Sequence, residues 1–226
     1  TLTDEISGLY HDTFAELARA SGATIVAGSA ILEGDDDEVY NTSVTFAEDG
    51  SVAARTRKVN LVPEIEDSIG LSPNHTGTGE ISDSAVGRVG TLICYDGFLV
   101  PHTSHEPEWQ PVGGAFANAS VHIVAQPAAN PWPWREAWVH RRPGETTLRC
   151  DQWRLEGFET RLSQLAGVRY GVTAHLVGRV LDQRFEGRSA IYERSADGRV
   201  RVLREAARED AGEVVHARVE APWLAA

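Results

Sequence analysis

The sequence predicts a layered α/β protein in which helices cover the faces of β-sheets. Two observations carry that reading. Apolar, β-branched stretches of strand length alternate with segments of helical periodicity, and two hairpins with Asp-Gly tips interrupt the pattern. A chain of 226 residues can bury one sizeable core, and no repeat, low-complexity tract or linker divides it, so 1–226 is read as a single domain.

In chain order, residues 9 to 21, LYHDTFAELARAS, place Tyr10, Phe14, Leu17 and Ala18 at helical spacing, and Ser21 with Gly22 supplies a stop. ATIVAGSAIL, residues 23 to 32, reads as one buried strand, and DDDEVY after it as a solvated turn. YNTSVTFAEDGSVAARTRKV predicts two antiparallel strands around Glu48, Asp49 and Gly50, with Lys58 ending the second arm. Residues 62 to 80, with prolines at 63 and 73, are loop-like. VGRVGTLICY resumes as a strand and delivers Cys94 to a polar bend. A polar loop with a short helix ending near Asn118 follows, then the buried strand VHIVAQPA. One helix from about 151 to 166, the strand GVTAHLVGRV and the hairpin RSAIYERSADGRVRVLRE complete the order.

Composition narrows the partners. The balance of 21 basic against 33 acidic side chains gives a formal charge of −12, which disfavours nucleic acid and anionic membrane surfaces. Two cysteines, Cys94 and Cys150, are too few for a disulfide scaffold, and the start of the chain lacks a basic segment followed by an apolar one. A cytoplasmic protein acting on a small neutral or cationic molecule is expected. Among the basic residues only Lys58 is a lysine, the other twenty being arginine. A position that keeps lysine against that bias points to a need for a compact ammonium.

A thiol attacks as thiolate, so a catalytic cysteine needs a cation, a helix N-terminus or a base nearby. Alone, a cysteine in TLICY is an ordinary small buried hydrophobe. Taken with RKVNLVPEIE, which sets Lys58 and Glu66 where a strand becomes a loop, it is a candidate nucleophile.

The ordered pair RKVNLVP and GTLICYDGF resembles the two central motifs of the carbon-nitrogen hydrolase (nitrilase/amidase) superfamily. IVAGSAI, YNTSVTFAEDGSV, VHIVAQPAAN and FEGRSAIYERSADGRV resemble further pieces in the family's order, from about residue 10 to 219. The resemblance implies a four-layer αββα sandwich and hydrolysis through a covalent thioester by a Glu-Lys-Cys triad. Position by position, Cys94 matches the nucleophile, Lys58 the lysine and Glu66 a second glutamate eight residues on. The backbone N–H of Tyr95 would join Lys58 in stabilising the oxyanion. Asp96 matches a common family residue without an assigned role. The family's general-base glutamate has no counterpart here, because Glu5 has no strand before it. The first strand-helix-strand of the fold is therefore expected to be missing, leaving the sandwich N-terminally incomplete.

Trp109, Trp132 and Trp134, with Trp138, are candidates to line an apolar substrate pocket, or else to pack at an interface. His102 and His105 in PHTSHEPEW fit a polar loop better than a metal centre, and Cys150 is read as structural. No cofactor or metal is required. The expected function is hydrolysis of a non-peptide C–N bond in a small amide, nitrile or carbamoyl compound by a homodimer or larger homo-oligomer. The alternative is a catalytically inactive member serving as a binding or assembly subunit. An isochorismatase-like cysteine hydrolase is disfavoured by the ordered hairpin motifs.

Overall fold

The computed structural model describes residues 2–76 and 79–224, with side chains from residue 5 onward. Positions 77 and 78 of the expected 62–80 loop lie outside the described residues.

Helix α1 (Leu2–Ser21) begins seven residues before the periodic segment that predicted it, and Glu5 falls inside it. Residues 2–8 contain no proline, and a single Gly8 costs too little to stop a helix whose later turns pack. The helix ends where Gly22 takes φ +61, with its N–H returning to the Ala18 carbonyl at 2.8 Å.

The first sheet holds β1 (Ile25–Val26), β2 (Ala30–Glu33), β3 (Val39–Phe46) and β4 (Val52–Arg57), all antiparallel to a central β3. Both β1 and β2 pair along one side of β3, so ATIVAGSAIL is two strands rather than one. The chain bends between them at Gly28, whose φ of +74 no β-branched residue would accept. The hairpin from β3 to β4 turns at Gly50 (φ +81) as predicted. Phe14 and Ala18 of α1 pack on Val44 and Phe46, closing a small core on this sheet.

The second sheet is built from β5 (Ile81–Ser84), β6 (Gly87–Thr91), β7 (Ile123–Ala129), β8 (Tyr170–Leu176), β11 (Ala190–Arg194) and β12 (Val200–Glu205), in the order β12-β11-β8-β7-β6-β5. Between them come helices α2 (Ala115–Asn118), α3 (Arg149–Glu156) and α4 (Phe158–Gln164) and a separate ribbon of β9 (Gly178–Val180) and β10 (Gln183–Phe185). Strands β6, β7 and β8 are parallel and the outer pairs antiparallel. The helix expected over 151–166 is two helices. Gly157 has extended backbone there, and a Cβ at that position would collide with the Trp153 carbonyl. Likewise GVTAHLVGRV divides into β8 and β9 at Gly178 (φ +100).

Phe158 and Leu162 of α4 pack with Leu92, Val121 and Val124 on this sheet, all 2% exposed or less. Each contributes roughly 1.5–3 kcal/mol of burial. With α1 on the first sheet and α4 on the second, the layers run helix, sheet, sheet, helix. The C-terminal ends of β4, β6 and β7 meet at one edge of this stack, where ligands collect in open α/β sheets. No helix among the described residues is long and apolar enough to cross a membrane.

Candidate active site

Lys58 follows the last residue of β4, and its backbone N–H donates to Asn41 on β3 at 2.8 Å. Its side chain runs inward and is 1% exposed. Burial opposes the charge of the ammonium, but the Glu66 carboxylate, with Cys94 and Asp96 nearby, more than offsets that, and the pKa lies above the ordinary lysine value. Glu66 accepts from Lys58 Nζ, from the Val62 N–H at 2.8 Å and from Asn41 Nδ2 at 2.7 Å. Burial alone would raise its pKa, yet the Lys58 charge and these donors hold it below the usual carboxylate range. Glu66 is therefore an anchored anion that aims Lys58.

Cys94 opens a short 3₁₀ turn, Cys94–Gly97, directly after the buried Leu92 and Ile93. It is one of the few non-glycine residues in the left-handed region, at φ +48. Such a conformation costs on the order of 1–3 kcal/mol and persists only when the surroundings enforce it. Here the Cys94 carbonyl accepts Gln126 Nε2 at 2.8 Å, the Asp96 N–H returns to Ile93 at 3.0 Å, and the Phe98 N–H returns to Tyr95 at 3.0 Å. The thiol, partly exposed, points toward the Ala129 carbonyl at the end of β7, 3.5 Å away. Close approach matters at Gly97, where a Cβ would collide with the Gln126 amide.

Asp96 is 1% exposed and accepts the N–H groups of Val59 at 3.1 Å and Asn60 at 2.8 Å. Burial pushes its carboxyl up to about 6, partly countered by Lys58 and those donors. Unassigned from the sequence, it ties the turn that carries Cys94 to the strand end that carries Lys58.

Lys58, Glu66 and Cys94 line one cavity of about 240 Å³, together with Ser29 between β1 and β2, Asn41 of β3 and Phe185 of β10. The two motifs predicted to converge do so. Tyr95 is fully buried: its hydroxyl donates to Glu106 at 2.6 Å, and its ring stacks on His102 at 4.0 Å. Glu5 is an exposed residue of α1 and does not line this cavity.

Trp109, Trp132, Trp134 and Trp138 are not among the residues lining this cavity, although Trp109, Trp132 and Trp134 share a buried cluster with Cys94. Trp134 is 7% exposed and packs on Trp153 and His175. Trp132 and Trp138 cover the buried guanidinium of Arg149, at 4.7 and 3.9 Å from their ring centroids. Trp109 borders a different groove, beside Asn60 and Pro63. With no carboxylate partner among the described residues, this buried cation is stabilised by the π faces that cover it. Arg149 Nε also donates to Asn130 at 2.8 Å, and Asn130 donates to the carbonyls of Trp132 and Glu186. That chain fixes the 130–132 segment, whose Pro131 borders the cavity. Sequence reasoning missed Arg149, Gln126 and Phe185, because each acts through partners remote in the chain.

His102 is buried and His105 exposed, and among the described residues no group of His, Cys, Asp and Glu is arranged to hold a metal ion. Cys150 is partly buried at the start of α3 and lines no part of the Cys94 cavity.

Residues 2–101 match the family model described as carbon-nitrogen hydrolase, and these residues carry both Lys58 and Cys94. Over these residues the chain is similar to the carbon-nitrogen hydrolase family. It is 33% identical over 119 residues to the chloroplastic omega-amidase of Arabidopsis thaliana, covering 50% of this chain and 29% of that protein. Its backbone is similar to a carbon-nitrogen hydrolase from Helicobacter pylori G27, with a TM-score of 0.63 at 17% identity over 92% of this chain and 67% of that one. A mutant amidase from Nesterenkonia sp. AN1 in complex with butyramide gives a TM-score of 0.63 at 19% identity, over 89% of this chain and 64% of that one. The layered αββα fold of this chain is thus similar to that of these solved structures. The chain spans about a third of the length of the curated relatives it matches.

Proposed function

We propose that this chain is a thiol-dependent amidohydrolase acting on a small amide. The observation that carries the reading is the shared cavity of Cys94 and Lys58. Cys94 Sγ adds to the amide carbonyl carbon, and the developing oxyanion is met by the Lys58 ammonium and the Tyr95 N–H. As the tetrahedral species collapses, the C–N bond breaks, the nitrogen leaves as ammonia or amine with the proton given up by the thiol, and a thioester remains. Water then adds to the thioester carbon, the C–S bond breaks, and the acid departs as the thiol is restored. Amide is preferred over nitrile or carbamoyl substrates because relatives are named omega-amidases and a structural neighbour holds butyramide.

Incubating the protein with butyramide and measuring ammonia release tests this, alongside Cys94→Ala. A Cys94-dependent signal, with a thioester adduct on that residue by mass spectrometry, is expected. Equal release from both proteins would remove the proposal.

A specific observation favours a second reading. Among the described residues Glu66 is the one carboxylate lining the cavity, and it is engaged by Lys58, Val62 and Asn41. With no free carboxylate to take the thiol proton, the chain would bind amides without turning them over. Calorimetric binding of butyramide with no ammonia release would establish it. A homodimer or larger assembly belongs to the proposal under either reading, and sedimentation velocity measures it.

A further inference from the structure

We infer that Arg149 is a positioning residue for the nucleophile: its buried guanidinium favours the ionised sulfur of Cys94 and fixes the backbone against which that sulfur lies. This deepens the amidohydrolase reading and takes from it Cys94 as the attacking group. Arg149 is 2% exposed and is the first residue of α3, at the end of the helix where the dipole repels a cation. Its side chain donates to two neutral amides, Asn130 Oδ1 at 2.8 Å and Gln152 Oε1 at 2.5 Å, and no carboxylate among the described residues pairs with it. Apolar side chains in place of buried ions are often neutral or stabilising. Stability alone therefore does not account for the charge, whereas an anion formed during the reaction does.

Cys94 supplies that anion. It packs with Phe98, Trp132 and Trp153 in one apolar cluster, and these three rings also cover the Arg149 guanidinium, at 5.8, 4.7 and 5.5 Å. Across such a medium charges act far more strongly than through water. Burial brings Arg149 down from 12.5 to about 9, and the Cys94 thiolate is foremost among the groups that raise it again, ahead of Glu156 and Tyr95. Glu156 is held instead by Gln152 Nε2 at 2.7 Å, and burial keeps the Tyr95 hydroxyl protonated. Burial likewise keeps His102 and His175, which face the guanidinium, neutral. Attraction is mutual, so the guanidinium favours the thiolate in turn. Lys58 is the other cation near the sulfur, and it is already paired with Glu66. The second link runs through the backbone. Asn130, held by Arg149, directly follows Ala129, whose carbonyl faces Cys94 Sγ at 3.5 Å. A sulfur favoured as thiolate needs no carboxylate at the moment of attack, because its proton passes to water and the leaving nitrogen takes one back from water.

Alkylation of Cys94 by iodoacetamide, the S–C bond forming as iodide leaves, reads the ionised sulfur without any turnover. Rates are measured against pH on the Cys94 peptide of the full chain for the wild type, Arg149→Lys, Arg149→Gln and Arg149→Met. The two uncharged variants are expected to react about three- to tenfold more slowly at neutral pH, with the profile moved to higher pH. Arg149→Lys keeps the charge and should stay near the wild type. Arg149→Met, whose apolar stem packs on the same rings, carries the test if Arg149→Gln does not fold. Equal slowing in all three variants would make Arg149 a scaffold alone and overturn the inference, as would wild-type rates in the uncharged variants. Ammonia release from butyramide is followed on the same proteins. Charge-dependent alkylation without Cys94-dependent hydrolysis would remove the proposed function while the ionised sulfur stands.

Discussion

The Asp96 carboxylate accepts the backbone N–H of Asn60 at 2.8 Å, binding the turn that carries Cys94 to the strand end that carries Lys58. Register between Cys94 and Lys58 is thereby set by a buried side chain that is not among the residues lining their shared cavity. A carboxylate suits this place because its two oxygens satisfy two main-chain donors at once.

Asp96→Asn tests that bridge. Asparagine keeps one acceptor oxygen and leaves the other N–H facing an NH₂ group, so a loss of about 1–3 kcal/mol at pH 7 is expected from chemical denaturation. The pH dependence has a definite sign. With its pKa raised from 3.8 to about 6 in the folded chain, Asp96 holds its proton more tightly there than when unfolded. The wild type therefore gains stability from this group as pH falls from about 6 toward 3.8, and the variant does not. The stability gap between the two proteins should widen over that window, and a gap constant with pH would contradict the assignment.

Glu66→Gln leaves the Lys58 ammonium buried without its counter-charge. Removing one partner of a buried pair costs roughly 3–5 kcal/mol. Thermal melts should show the loss, and amide turnover should fall with it. If Glu66→Gln melted like the wild type, the carboxylate would not be what holds Lys58 charged.

Gly97→Ala forces a Cβ against the Gln126 amide, the group that fixes the Cys94 carbonyl. Because the partner is the end of a flexible side chain, the fold should survive with a loss of about 1–3 kcal/mol. The larger effect is expected at the thiol. Cys94 would leave its left-handed conformation, and its alkylation rate by iodoacetamide should change more than that of Cys150.

Arg149→Lys keeps the charge but surrenders the planar fork that reaches Asn130 and Gln152 while lying on Trp132 and Trp138. A stability decrease of about 1–3 kcal/mol is expected, with a shift in tryptophan fluorescence. An unchanged emission spectrum would show that the guanidinium does not organise these rings.

The sequence by itself determined the α/β class, both Asp-Gly hairpins, the buried strand at 121–128 and the convergence of Lys58 with Cys94. Each of these is written in local periodicity, in turn chemistry, or in an ordered motif pair whose residue types demand one another. The breaks at Gly28, Gly157 and Gly178 were not legible. A glycine reads the same whether it sits passively in an element or occupies a position where a Cβ collides or φ turns positive, and only the packed neighbours decide which. Composition left the tryptophans free to line a pocket or fill a core. Tertiary structure placed Trp132 and Trp138 on Arg149, because a desolvated guanidinium and the π faces of these rings stabilise each other only once the chain has brought positions 132, 138 and 149 together.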